Sequence, residues 1–341
     1  MIYFTEEKFD LYYNCTALTN EEWELERNPN LIIGLLYMLI GITFLILYIP
    51  AVFILLDREL LTFCCFKILL FLSIIDIFIL ILSCLVCGYL SIVGQIFCSA
   101  RIPNYIIGMI AMGLWTLSSA TCVLLSINRL LDVHWPEVAL FFFEGYKTLG
   151  LLTLPIMYSL FFALCVSPAP YSSKSHGFFF DVYHKTSVDE FMNERFTYTS
   201  ILHSLNNYTF IIMTICVYGV LFSMLIYKYK KNDKNFKLTN FKKKALIQCV
   251  FVCSLSLISG SIYIYMQYFP TSTFIVIIGQ MAWQFNSGIS SVIFIFLNDT
   301  TRRVIAQSFL PTWFKQLIGV TGQSNTIDIV QNHSIKSTVA T

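Results

Sequence analysis

Seven long runs of hydrophobic residues, almost without charge, follow one another between Leu31 and Leu297. A helix rises about 1.5 Å per residue, so roughly 20 residues cross the hydrocarbon core of a bilayer. Each run is long enough to do this. The pattern predicts an all-α membrane protein, a seven-transmembrane helical bundle with spans at approximately 31–56, 68–90, 104–128, 148–167, 203–227, 246–269 and 273–297.

The chain divides around these spans into a segment at 1–30, the bundle at 31–298 and a tail at 299–341. Residues 1–30 are rich in glutamate, and no basic stretch leads into a cleavable signal, so we expect the first span to direct insertion. The tail begins with a stretch that predicts a short amphipathic helix on the membrane, before Pro311 interrupts it.

Composition excludes a water-soluble globular protein. Hydrophobic residues make up 57% of the chain and charged residues only 12%, whereas soluble domains carry about 25% charged residues. We find no Gly/Ser/Pro-rich linker between the spans, which favours a single domain.

The distribution of positive charge predicts the orientation, because lysine and arginine are retained on the cytoplasmic side. With the N-terminus outside and the C-terminus inside, sixteen of the 22 lysines and arginines fall on the inner side. The loop at 228–244 supplies eight of these sixteen. Such a loop is attracted to anionic membrane lipid, and it is also a candidate contact for a cytoplasmic partner.

Two of the eleven cysteines, Cys15 and Cys98, fall outside in this topology. The oxidising exterior favours a disulfide between them, and the predicted outer loop at 168–202 offers no other cysteine. Two unpaired thiols remain the alternative. Asn14, in the triplet Asn-Cys-Thr, is a predicted N-glycosylation site on the same side.

Four stretches of the bundle resemble a known family. They are GMIAMGLWTLSSATCVLLSINRLLDV (108–133), FFEGYKT (142–148), IYIYMQYF (262–269) and GQMAWQFNSGISSVIFIFLNDTTRR (279–303). They are similar to serpentine receptor class T, a group of nematode chemoreceptors. The resemblance implies a G-protein-coupled receptor in the plasma or ciliary membrane of a sensory neuron, with a small-molecule ligand and a heterotrimeric G protein as partners.

Asp76 is the only acid well inside a predicted span, where a charge costs about 2.5 to 3.5 kcal/mol on insertion scales. By analogy with rhodopsin-like receptors, Asp76 and Ser118 would hold water or a sodium ion that changes occupancy when the bundle switches state. A neutral Asp76 that is hydrogen-bonded to a neighbouring helix is an equally good interpretation.

Arg129, in Asn128-Arg129-Leu130, stands where rhodopsin-like receptors carry an arginine beside an acid. The acid is missing here, so we consider a resting pair with Asp132, or no pair. Arg129 is our candidate for G-protein coupling, and an arginine that reaches the membrane interface is the alternative. The sixth and seventh spans lack the Cys-Trp-x-Pro and Asn-Pro-x-x-Tyr patterns of rhodopsin-like receptors, so their activation scheme does not transfer whole.

A ligand cavity would open outward between the third, fifth, sixth and seventh spans, with apolar walls and a few polar anchors. Helical spacing of three and four places the candidates of each span on one face. None of them is ionisable, which favours a small neutral ligand, although such residues also serve as plain helix packing. The ligand-binding candidates are Tyr105, Met109, Met112, Trp115, Tyr263, Met266, Gln267, Gln280, Trp283 and Gln284.

Other functional classes fit less well. The histidines show no metal-ligand spacing inside the spans, and we find no phosphate loop or nucleophile motif, so we expect no enzyme, no cofactor, no metal and no nucleic-acid partner. A seven-span ligand-gated channel or a transporter remains the alternative, because a count of seven helices does not define a receptor.

Overall fold

The computed structural model describes residues 6–58, 60–194, 198–230 and 240–297. The predicted tail at 299–341 and its amphipathic helix lie outside the described residues. The elements, in chain order, are α1 (Glu6–Tyr12), α2 (Asn20–Leu25), α3 (Leu31–Leu55), α4 (Cys64–Leu80), a π-helical segment (Ile81–Val86), α5 (Cys87–Val93), α6 (Arg101–His134), α7 (Pro136–Phe143), α8 (Lys147–Cys165), β1 (Tyr171–Ser172), β2 (Gly177–Phe178), α9 (Asp189–Asn193), α10 (Ile201–Lys230), α11 (Asn240–Tyr268) and α12 (Thr273–Leu297).

The predicted spans correspond to α3, the continuous helix from Cys64 to Val93, α6, α8, α10, α11 and α12. Six of these are long and apolar enough to cross a membrane. The last, α12, has 25 residues but carries polar side chains on its inner face. Gln280, Gln284 and Ser287 are fully buried there, so these polar side chains of α12 face the bundle interior.

The third span and the loop after it differ from the prediction. Helix α6 has 34 residues and ends at His134, six residues beyond the predicted span, so Arg129 lies within the helix and not at its exit. The predicted loop after it contains a helix, α7, which has Pro136 at its first position. Proline at a helix start costs no hydrogen bond, because the first N–H groups have no partner within the helix.

Large apolar side chains cover the outside of the bundle. Ile32 on α3 is 80% exposed and Leu154 on α8 is 62% exposed. Such a surface is unfavourable in water and suits lipid. Inside, α3 and α5 approach closely, since a Cβ added at Gly34 would lie 2.6 Å from the carbonyl oxygen of Gly88. Small residues let membrane helices pack at this distance.

One end of the bundle is covered by a cap, which we define as residues 6–30, 94–100, 166–194 and 198–200. Its own hydrophobic cluster includes Tyr13, Trp23, Phe97 and Tyr183. A disulfide joins Cys15 to Cys98 and so ties residues 6–30 to the start of α6. The antiparallel hairpin of β1 and β2 belongs to this cap.

Candidate functional site

A cavity of about 330 Å³ lies between the cap and the C-terminal end of α11. Loop residues form one wall and the last turns of α11 form the other. Three of the predicted ligand-binding residues, Tyr263, Met266 and Gln267, line it. The remaining lining residues, which the sequence did not single out, are Phe178, Phe179, Phe180, Asp181, His184, Asn193, Tyr198, Thr199, Tyr268, Phe269, Pro270 and Thr271.

Polar contacts fix the α11 wall. The amide nitrogen Nε2 of Gln267 lies 2.8 Å from His203 Nδ1, and its Oε1 accepts the backbone N–H of Ser200 at 3.0 Å. The Tyr263 hydroxyl donates to Gln280 Oε1 at 3.3 Å. These bonds connect the cavity wall to α10 and α12.

Asp181 and His184 give the loop wall its charge. Asp181 accepts Asn193 Nδ2 at 2.8 Å and the backbone N–H of Tyr183 at 2.9 Å. Burial raises the pKa of the Asp181 carboxyl to about 6, although these two hydrogen bonds oppose the rise. Burial lowers the pKa of His184, so its imidazole is neutral at pH 7. The ligating atoms of Asp181, His184 and Asp189 lie within 4.8 Å of one another, a spacing that could also hold a cation.

The hairpin closes the bundle beneath the cavity. Phe178 meets the indole of Trp283 with ring centroids 5.6 Å apart, and Tyr37 on α3 donates to the carbonyl of His176 at 2.8 Å. Gly177 is pressed against α12, where an added Cβ would lie 2.8 Å from Val276. Trp283 is therefore covered by the loop.

The other predicted ligand-binding residues lie apart from the cavity lining. Met112, Trp115, Gln280, Trp283 and Gln284 are buried within the bundle. The remaining two, Tyr105 and Met109, are half-buried on the first turns of α6.

Trp115 and Tyr105 on α6 contact α10 and the cap. The Trp115 indole donates to Asn207 Oδ1 on α10 at 2.8 Å. Tyr105 packs against Phe9 and Tyr13 of the cap, with centroids 5.0 and 5.3 Å apart.

The π-helical segment Ile81–Val86 receives both glutamines of α12. Gln280 Nε2 and Gln284 Nε2 donate to the carbonyl of Ser83 at 3.0 and 2.7 Å. A wide turn leaves backbone carbonyls without a partner in the helix, and such turns are frequent at functional sites. The wide turn thus ties α12 to the second span.

Asp76 is buried and has a partner on α3. The Tyr48 hydroxyl lies 2.9 Å from Asp76 Oδ2 and 2.6 Å from the carbonyl oxygen of Ser287. One hydroxyl carries one proton. Whether the Tyr48 hydroxyl donates to Asp76 or to the Ser287 carbonyl therefore depends on whether Asp76 is ionised. Ser118, the proposed partner of Asp76, is buried on α6.

Arg129 is buried at the other end of α6. Its guanidinium donates to Asn128 Oδ1 at 2.7 Å and pairs with Asp132 at 3.5 Å. Of the two resting arrangements considered from the sequence, the structure has the pair with Asp132. A charged group in this position needs such partners, because burial of an unpaired charge is costly.

Asn14 lies in the cap beside the disulfide. It is half-buried, its side-chain oxygen accepts the N–H of Thr16 at 2.8 Å, and its carbonyl accepts the hydroxyl of Tyr183 at 2.6 Å. Its use as a glycosylation site remains a prediction.

The pattern that predicts the spans does not single out the loop residues of the cavity, because the segment 168–202 lies between two spans. The sequence feature that indicates this wall is the run Phe178-Phe179-Phe180 followed by Asp181. Three consecutive aromatic side chains in a loop need an apolar contact, and here they line the cavity.

Comparison with known proteins shows what the chain is similar to. Residues 1–317 match a protein family described as serpentine type 7TM GPCR chemoreceptor Srt. The chain is also 22% identical over 298 residues to serpentine receptor class T-55 of Caenorhabditis elegans. The matched region covers 85% of this chain and 78% of that protein.

Proposed function

Because this chain belongs to the Srt family of serpentine seven-transmembrane chemoreceptors, we propose that it binds a small chemical cue beneath its cap and signals to a heterotrimeric G protein at the opposite end. It is a multi-pass membrane protein of a receptor family, not of an enzyme family. The observation that carries the proposal is the placement of an aromatic cavity at one end of the bundle and a buried, paired arginine at the other.

Cue binding is supported by the shape and chemistry of the cavity. Its volume of about 330 Å³ falls at the lower end of the range for small-molecule sites, roughly 300 to 1,000 Å³. Apolar and aromatic walls with a few polar anchors are typical of such sites.

A route for the signal follows from the contacts of α12. Phe178 lines the cavity and packs on Trp283, so a cue that moves Phe178 displaces α12. One residue further along, Gln284 binds the π-helical segment, and the carbonyl of Ser287 accepts the Tyr48 hydroxyl that also contacts Asp76. Displacement of α12 therefore disturbs both contacts. On the rhodopsin analogy Asp76 and Ser118 hold water or sodium here, and loss of sodium dependence in Asp76→Asn tests that role.

Coupling at the opposite end is assigned to Arg129. Its pair with Asp132 is partly open to solvent, since the Asp132 side chain is 27% exposed, so a binding partner that offers carbonyl groups can displace it. Arg129→Ala should lower G-protein activation far more than surface expression. Equal losses of both would make Arg129 a structural residue.

The cap is proposed to be extracellular and the lysine-rich side cytoplasmic, where it also contacts anionic membrane lipid. In this orientation the Cys15–Cys98 disulfide lies on the oxidising side. Glycosylation of Asn14 in cells, seen as a glycosidase-sensitive shift that Asn14→Gln abolishes, would support it. An unglycosylated Asn14 combined with labelling of the cap only in permeabilised cells would contradict it.

The function is tested by expression in a heterologous cell with a G-protein activation readout against small volatile and water-soluble compounds. Whole-cell current is recorded in parallel. Cue-dependent activation that Arg129→Ala abolishes is the expected result. Cue-dependent current without G-protein activation would favour the ligand-gated channel instead. By family, the natural setting is the plasma or ciliary membrane of a sensory neuron.

A further inference from the structure

We propose that the cavity beneath the cap takes a small organic cation with an aromatic or apolar body, and that the Asp181 carboxylate is its anchor. This inference rests on the proposed cue-binding function and names the chemical class of the cue. Residues of the spans alone favoured a neutral ligand, because none of those candidates is ionisable. The loop changes this by bringing a carboxylate into the wall.

Asp181 has unused capacity to bind a donor. An ionised carboxylate offers about four acceptor positions, and the hydrogen bonds from Asn193 and Tyr183 occupy two of them. The described residues that line the cavity include no lysine or arginine. His184, the histidine of the described lining, is neutral at pH 7 because burial lowers its pKa. The charge that the described lining presents to a ligand is therefore negative.

The aromatic walls suit the same class of ligand. Phe178, Tyr198, Tyr263 and Tyr268 line the cavity, and aromatic faces attract cations within about 6 Å of the ring centroid. Phe179 is already stacked on His184, with centroids 4.4 Å apart. A lining that combines a carboxylate with aromatic rings can thus bind both the charge and the body of an amine.

A bare metal ion is the competing occupant, because Asp181, His184 and Asp189 have metal-ligand spacing. The Asn193 amide argues against it. Its nitrogen Nδ2 donates to Asp181 at 2.8 Å and to Asp189 at 2.5 Å, so an N–H donor lies between the two carboxylates where a metal would bind. The cavity is also far larger than an ion.

The groups that face Asp181 set its response to pH. Asp189 raises its pKa by repulsion, Asn193 and the backbone of Tyr183 lower it, and burial is the largest cause of the rise to about 6. His184 stands beside Asp189, with 3.9 Å between Nδ1 and Oδ2, and the Lys185 ammonium is held by Thr273 on α12 at 2.7 Å.

The test uses the purified full chain in detergent, without G protein, and measures binding by calorimetry and by the shift in melting temperature. The probes are matched pairs that differ in charge: benzylamine against benzyl alcohol, and trimethylbenzylammonium against neopentylbenzene. Zinc chloride alone is a separate arm. The variants are Asp181→Asn, which keeps the shape, and the control Glu190→Gln, which removes one exposed charge from the same loop.

We expect both cations to bind more tightly than their neutral partners. Asp181→Asn should weaken the binding of benzylamine, whose ammonium can donate a hydrogen bond to the carboxylate, about 10- to 100-fold. It should weaken the binding of trimethylbenzylammonium, which has no N–H and is attracted only by charge, to a smaller extent. Glu190→Gln should leave the affinity unchanged. The inference is overturned if the neutral probes bind equally well, if no cationic probe binds, or if zinc alone binds in an Asp181-dependent manner. Cation binding without any G-protein response would instead overturn the proposed signalling function and leave this inference standing.

Discussion

Asp132→Asn tests whether the ion pair beside Arg129 stabilises a resting bundle. The guanidinium and carboxylate atoms are 3.5 Å apart, and the Asp132 side chain is 27% exposed while that of Arg129 is only 5% exposed. Solvent screens such a pair, so we take its contribution as about 1 kcal/mol. The amide keeps the side-chain shape, and the hydrogen bond from Arg129 to Asn128 at 2.7 Å does not depend on it. A loss of about 1 kcal/mol raises the ratio of active to resting receptor about fivefold.

The measurement is G-protein activation in the absence of any cue, normalised to receptor at the cell surface. The matched control is Glu137→Gln, which removes an exposed acid five residues further on, at the start of α7. We expect higher basal activity for Asp132→Asn and wild-type activity for the control. Basal activity that is unchanged or reduced at equal surface expression would refute the role of this pair as a restraint.

Three further predictions concern stability and cue binding. Cys98→Ser opens a disulfide that joins residues 83 apart in sequence and should cost about 2–4 kcal/mol of stability. The loss should appear as a lower melting temperature in detergent. Cys216→Ser, which changes an exposed free thiol, should leave the melting temperature unchanged. Gln280→Leu removes two hydrogen bonds and Gln284→Leu only one, so thermal unfolding should show a lower melting temperature for the first variant; the reverse order would contradict the assigned contacts. Burial raises the pKa of Asp181 to about 6, so its carboxyl is protonated below that pH and ionised above it. Calorimetry of a permanently charged ligand should therefore show affinity that rises between about pH 5 and 7, and no such rise in the variant Asp181→Asn.

Much of the fold could be predicted from the sequence because a bilayer imposes one simple requirement. An apolar run of sufficient length must be a helix, since its backbone groups have no other partner in lipid. The start of α3 illustrates this: the apolar run begins at Leu31, and Asn30 caps the helix by accepting the N–H of Ile33 at 3.0 Å. Helix α6 extends beyond the predicted span, because Arg129 and Asp132 end the apolar run although both residues lie within the helix.

The site was predicted only in part, because many of the contacts that build it join residues that are distant in sequence. Tyr263, Met266 and Gln267 were found because helical spacing places them on a wall near the end of a span. Asp181 was missed because its position depends on a loop fold held by Asn193 and by aromatic contacts distant in sequence. The π-helical segment was missed for the same reason, since the carbonyl of Ser83 accepts its hydrogen bonds from glutamines about 200 residues away.

The wide turn at Ile81–Val86 has a consequence for how this helix can change over evolution. A wide turn accommodates an extra residue, so the helical faces before and after it are offset by about 100° relative to an uninterrupted α-helix. Deleting one residue here would restore a regular helix. Asp76 and α5 would then rotate relative to each other, so that either Asp76 would turn away from Tyr48 or α5 would turn away from the cap. A single-residue deletion in this segment is therefore a substantial mutation that could re-register a whole span while leaving its length and hydrophobicity almost unchanged.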